Sequence, residues 1–236
     1  MQTTEAVVHG QGPGSYAARC REIVKIYRSK GSVVFALDGV DLDVPRHKVV
    51  AVFGPSGSGK TSLARILALS DVPDDGSVDV EGLETTALGH RARRNVRRVS
   101  IGFVFADPSH NLLPYLDAVE NVELAQRMRG GLHRGKEAAE VLGSLGLGHR
   151  LRHVPGQLSG GEQQRLAVAC AITGAPSLVV LDEPTAELDR ASAEVLLGHV
   201  SGLRETGTTF VISSHDPAVA EMADEVVELR KGTRVR

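Results

Sequence analysis

Two short runs along the chain contain no polar residue: Val49-Val-Ala-Val-Phe53 and Leu178-Val-Val-Leu181. An uninterrupted apolar run of that length predicts a strand buried on both faces of a sheet. Segments 22–27 and 33–44 alternate apolar with polar positions, the pattern of antiparallel strands with one solvated face. Shorter strands are expected at 77–80, 100–105, 208–213 and 225–229. Helical spacing appears after Lys60, at Leu63, Ile66 and Leu67. It returns across 116–151 at Val119, Val122 and Leu124, then at Ala138, Val141, Leu142 and Leu145. No strand pattern interrupts this stretch, so a helical subdomain covering 112–156 is expected there. Segments 160–171, 191–203 and 217–222 read as further helices, and 91–98 as a helix or loop. Strands alternating with helices imply a mainly parallel sheet with helices on its faces.

At 236 residues the chain can bury a substantial core, as one large α/β domain or one domain with a subdomain. Residues 1–20 contain Gly and Pro and lack the apolar segment of a secretory signal. They read as a disordered tail ahead of a domain spanning 21–236. Cys20 and Cys170 share no close spacing and no histidine-rich neighbourhood, which argues against a disulfide framework or zinc site and for a reducing cytoplasm. No stretch approaches the roughly 20 apolar residues of a membrane helix, so any membrane role is expected to pass through a partner. The formal charge of −2 argues against a dedicated nucleic-acid binder. Arg91, Arg93, Arg94, Arg97 and Arg98 are the one cluster pointing towards nucleic acid or lipid headgroups. No aromatic residue interleaves them, and charge runs are most often solvated faces.

The first apolar run leads into Gly54-Pro55-Ser56-Gly57-Ser58-Gly59-Lys60-Thr61, which fits G-x-x-x-x-G-K-[ST], and then through Ser62 into a helix. Glycines let the backbone curl so that successive N–H groups face phosphate oxygens, and the helix start adds its positive dipole end. In this strand–loop–helix setting Lys60 is expected to reach the β- and γ-phosphates of a nucleoside triphosphate, and the Thr61 hydroxyl to bind Mg²⁺. The second apolar run delivers Asp182 and Glu183 at a strand end, where ligands sit in open α/β sheets. Asp182 suits the Mg²⁺ shell, and Glu183 suits orienting or deprotonating an attacking water. Downstream of the phosphate loop this reading prevails over a merely solvated pair of acids.

Leu158-Ser159-Gly160-Gly161-Glu162-Gln-Gln-Arg165 opens a helix with a hydroxyl, free N–H groups and a dipole that favours an anion. The same residues make an ordinary capping box, with Ser159 as N-cap and Glu162 three positions on; the two readings are compatible. This octapeptide resembles the signature motif of ABC transporter ATPases, and the resemblance spans nearly the whole chain from Glu22. It implies an α/β fold of the P-loop NTPase, ABC type: a mainly parallel central sheet, an N-terminal antiparallel β part and a helical subdomain. It implies ATP and Mg²⁺ as cofactors, hydrolysis of ATP, and a homodimer or pseudo-symmetric dimer. In such a dimer Ser159, Gly160, Gly161 and Glu162 of one chain face the nucleotide of the other. It further implies integral-membrane permease subunits as partners, on the inner face of the cell membrane. Within the family order Tyr27 corresponds to an aromatic that stacks on adenine, Leu188-Asp189 to the loop that communicates across the dimer, and His215 to the switch histidine at the γ-phosphate.

One position departs from the family. Members usually end the strand at 100–105 with a glutamine that contacts Mg²⁺ and the attacking water; here Phe105 is followed by Ala106, then Asp107-Pro108. Alanine offers no oxygen, so slower or altered hydrolysis is expected. Asp107 is poorly placed to substitute, because Pro108 restricts its backbone and neighbouring strand residues face opposite ways. The stretch from Asn111 to Leu124 resembles ATPases of the lipoprotein-release and macrolide-exporter type, including cell-division relatives that drive cell-wall hydrolases. The expected function is therefore an ATPase driving a permease of export or extraction type. The alternative is an ABC ATPase gating a non-transport signalling or cell-wall-hydrolase complex.

Overall fold

The computed structural model describes residues 15–29, 31–130, 137–205 and 207–235. The chain opens with a long antiparallel hairpin, β1 (Tyr16–Ser29) and β2 (Ser32–Pro45). The first apolar run follows as β3 (Val49–Phe53), which leads through the glycine-rich loop into α1 (Lys60–Leu67). Next come β4 (Asp75–Val80), β5 (Leu83–Glu84), α2 (His90–Ser100) and β6 (Ile101–Val104). Helices α3 (Ala118–Met128), α4 (Ala138–Ser144) and α5 (Gly160–Ile172) lie between β6 and β7 (Leu178–Asp182). The chain closes with α6 (Arg190–Glu205), β8 (Thr209–Ser214), α7 (Pro217–Met222), β9 (Glu225–Arg230) and β10 (Thr233–Arg234).

Two sheets result. One is antiparallel in the order β2-β1-β4-β5; the other runs β10-β9-β3-β8-β7-β6 and is parallel except at its β10 edge. The period-2 geometry of a strand divides the parallel sheet between two cores. Val49, Ala51, Val179, Leu181, Phe210 and Ile212 face the core shared with α3 to α7. Val50, Val52, Leu178, Val180 and Val211 face a second core with α1 and the antiparallel sheet. Both faces are covered, which is why these strands read as continuous apolar runs.

The expected tail at 1–20 ends too late. Residues 1–14 lie outside the described residues, but β1 already begins at Tyr16, and Ala17, Ala18 and Cys20 are fully buried. Small alanines carry little strand signal; here Ala18 is held by pairing with Val44 of β2 on one side and Val80 of β4 on the other, with Cys20 opposite both Leu42 and Val78. Burial pushes the Cys20 thiol up to about 12. The helical stretch at 116–151 is divided into α3 and α4. A Schellman turn ends α4: Gly146 takes φ +71°, Leu147 N–H donates to Leu142 O, and Gly146 N–H donates to Gly143 O.

Arg129, just past α3, joins three elements. Its guanidinium donates to the carbonyls of Arg98 and Ile101, where α2 passes into β6, and to Ala171 at the end of α5. Among the described residues no helix is long and apolar enough to cross a membrane.

Candidate active site

Strands β3, β8 and β7 lie side by side and end together, each handing the chain to a loop with charged or hydroxyl side chains. After β3 the chain turns through Gly59, whose φ is +104° and where a Cβ would sit 2.3 Å from the Ala36 carbonyl oxygen. Only glycine lets the loop pass that close to the β1–β2 hairpin. Pro55, Ser56 and Gly57 are exposed at the loop tip, and Gly54 is buried at its base. The Ser58 hydroxyl is buried with no hydrogen-bond partner among the described residues, an oxygen that suits a phosphate ligand.

Lys60 is the first residue of α1 and is 4 % exposed. Its Nζ donates to Gly54 O at 2.9 Å and Pro55 O at 3.0 Å and lies 3.1 Å from Glu183 Oε1. Beside it, Thr61 Oγ1 donates to Asp182 Oδ1 at 3.1 Å, and the same oxygen accepts from Ser213 Oγ at 2.6 Å. Two hard oxygen donors this close match the sparse protein ligation that Mg²⁺ takes beside phosphates.

Glu183 leaves β7 in the left-handed region, at φ +47°, with its N–H donating to Ser213 O at 2.9 Å. That conformation costs a side-chain-bearing residue on the order of 1 kcal/mol. It returns the carboxylate across the strand ends, so that Oε1 meets Lys60 and Oε2 lies 2.9 Å from His215 Nδ1. Lys60, Thr61, Asp182, Glu183 and His215 are thus brought into one polar network. Tyr27 and Ser62 stand next to it: the phenol oxygen is 3.4 Å from Ser62 Oγ and 3.3 Å from Asp71 Oδ2, with the tyrosine 41 % exposed.

The start of α5 is a separate centre. Ser159 Oγ accepts from Glu162 N–H, and Glu162 Oε2 accepts from Ser159 N–H at 2.8 Å, a complete capping box. Arg150 Nε donates to Glu162 Oε1 at 2.8 Å. The Ser159 N–H first, then the Arg150 guanidinium, hold the Glu162 carboxyl down at about 2. Among the described residues no hydrogen bond or ion pair joins Ser159, Gly160, Gly161 or Glu162 to the Lys60–Glu183 network. Asp189 caps α6, accepting from the Ser192 N–H and hydroxyl, and these bonds hold its carboxyl below the usual range.

At the departure from the family pattern, Ala106 is flanked by groups already committed elsewhere. Asp107 Oδ1 accepts from Ser109 N–H as the cap of a 3₁₀ turn at Pro108–His110. Asn111 holds Phe105 through both backbone groups and also donates to Asp107 O. Two contributors escape a reading of the sequence. Ser213 could be found only from the strand register that sets it opposite Asp182, and Arg150 carries no motif signal.

Comparison with known proteins bears on the family and the fold. Residues 37–186 match the family model described as ABC transporter. The lipoprotein-releasing system ATP-binding protein LolD 2 of Caulobacter vibrioides is 43 % identical over 215 residues, covering 90 % of this chain and 93 % of that protein. An ABC transporter ATP-binding protein of Thermotoga maritima is 43 % identical over 216 residues, covering 89 % and 90 %. Among solved structures, the dimeric ATP-binding cassette MJ0796, bound to ADP and phosphate after hydrolysis, aligns with a TM-score of 0.83 at 33 % identity, covering 93 % of this chain and 97 % of its own.

Proposed function

The chain belongs to the ABC transporter family of ATPases, and on that premise we propose that it is the ATP-hydrolysing subunit of an export- or extraction-type transporter, held at the cytoplasmic face of a membrane by its permease. The observation that carries the hydrolytic part is the network in which Glu183 lies between Lys60 and His215, next to the Thr61–Asp182 pair. ATP would supply the scissile β–γ bond, and Mg²⁺ the positive charge that offsets the phosphates. Thr61 and Asp182 are the residues to hold that ion, with Ser213 fixing the Asp182 oxygen. Lys60 already turns its ammonium towards backbone oxygens of the loop and has the reach to exchange them for phosphate oxygens. Glu183 orients the attacking water and takes its proton, and His215 keeps the Glu183 carboxylate in place. Tyr27, exposed beside Ser62, offers a ring face for the adenine.

The separation of Ser159–Glu162 from this network within one chain supports a head-to-tail dimer, in which each α5 start faces the partner's nucleotide. The naming of the relatives as lipoprotein-releasing proteins supports the extraction direction. Ala106 provides no oxygen, and Asp107 is occupied as a helix cap, so slow turnover is expected. One experiment tests these points together: coexpress the chain with the permease of its transporter, copurify, and measure ATP hydrolysis for wild type and Ala106→Gln. A stable complex with a several-fold faster Ala106→Gln variant supports the reading. Equal rates would show that the missing amide is immaterial, and failure to bind both ATP and permease would sink the assignment.

A further inference from the structure

Helix α2 (His90–Ser100) has no role in the nucleotide site and buries none of its residues. Over eleven residues it carries Arg91, Arg93, Arg94, Arg97 and Arg98 and no acid. None of these five arginines has a carboxylate within ion-pair distance among the described residues; the one side-chain bond is Arg98 to Asn95, within the helix itself. With the chain's formal charge at −2, these five positive charges stand against a net seven negative ones on the rest of the sequence. Like charges three and four positions apart weaken a helix, so its own sequence does not account for the arrangement.

The charges are also ordered. At 3.6 residues per turn, His90, Arg91, Arg94, Arg97 and Arg98 fall within one exposed arc, while Arg93, Val96 and Ser100 are half-buried on the side turned to the protein. Val96 packs against the core beneath. The Arg129 bond to the Arg98 carbonyl fixes the end of the helix. The basic side is therefore a broad, convex, single-sign face on a fixed mount.

We propose that α2 is a docking face for an anionic lipid surface. The face contains no aromatic ring on which a base could stack and no glutamine to read base edges, and its single Asn95 is engaged by Arg98. Forked guanidinium groups on a convex arc match a plane of phosphate headgroups, where each basic residue adds a similar increment of binding. The inference rests on the permease reading in one respect: the permease brings α2 to a membrane. Lipid attraction and permease attachment then reinforce each other through effective concentration.

The test uses flotation of the purified chain with vesicles of phosphatidylcholine alone and of phosphatidylcholine with phosphatidylglycerol. Wild type is expected to partition onto the anionic vesicles in a salt-sensitive way and to ignore the neutral ones. Changing Arg91, Arg94, Arg97 and Arg98 to Gln should weaken that partition about a hundredfold to a thousandfold, while the same four changed to Lys should retain it. ATP binding and the circular dichroism spectrum check that each variant is folded. Equal partition of wild type onto both vesicles would overturn the proposal, as would tighter binding to a short DNA duplex at the same salt. Copurification with the permease is measured separately, so a failed transport assignment and a failed lipid face give different results.

Discussion

The two polar centres of this molecule are built in opposite ways. At the carboxyl ends of the parallel strands, Lys60, Thr61, Asp182, Glu183, Ser213 and His215 come from three distant segments and meet in one network. At the start of α5, Ser159 and Glu162 are three residues apart and cap each other, with Arg150 added from the preceding turn. The first centre exists only if the sheet register is correct; the second needs little more than its own helix. A centre assembled by the whole fold has the precision that bond-breaking chemistry requires. A centre assembled locally can be carried on one helix towards a binding partner without rearrangement.

The largest expected effect separates them by chemistry. Glu183→Gln should lower ATP hydrolysis by about a hundredfold or more while leaving nucleotide binding within a few-fold, measured by steady-state turnover and by equilibrium titration. Unchanged turnover would remove Glu183 as the base and break the contrast at its root. Next in size, Ser213→Ala takes the 2.6 Å donor from Asp182, and by analogy with metal-supporting hydrogen bonds should weaken Mg²⁺-dependent activity about tenfold. A magnesium titration would show it as a higher half-saturating concentration, and a lower rate at saturating magnesium would point to another role.

The smallest effect belongs to the local centre. Glu162→Gln should cost about 1 kcal/mol of stability at neutral pH without changing ATP binding by the single chain. Because the folded-state carboxyl is held at about 2 against an ordinary 4.5, this contribution is fully present above pH 4.5 and is lost as the pH falls towards 2. Unfolding midpoints of the two proteins should therefore converge on acidification. Midpoints that stay equally far apart at pH 3 and pH 7 would mean the charge on Glu162 contributes nothing.

The same contrast explains what the sequence made legible. Val49 to Val52 and Leu178 to Leu181 declare buried parallel strands because every position faces one of two cores. The phosphate loop and the α5 start are contiguous, so spacing alone exposes Lys60, Thr61, Ser159 and Glu162. Ser213 is silent because its meaning lies in a strand pairing with Asp182, and the left-handed turn of Glu183 lies in a residue type that gives no hint of it. The early start of β1 is hidden for a related reason: Ala17 and Ala18 become strand through their neighbours rather than through propensity.

The Arg129 guanidinium has a mechanical consequence. By holding carbonyls of α2, β6 and α5 at one point, it acts as a rivet at one end of the edge strand. A push along α5 is then delivered to the start of β6 and the end of α2 together, with little slack between them. Beyond Val104 the chain leaves the strand for the Ala106 loop, which Asn111 ties back through Phe105 and Asp107. The short strand is thus fastened at both ends, by Arg129 where it begins and by Asn111 just past where it ends.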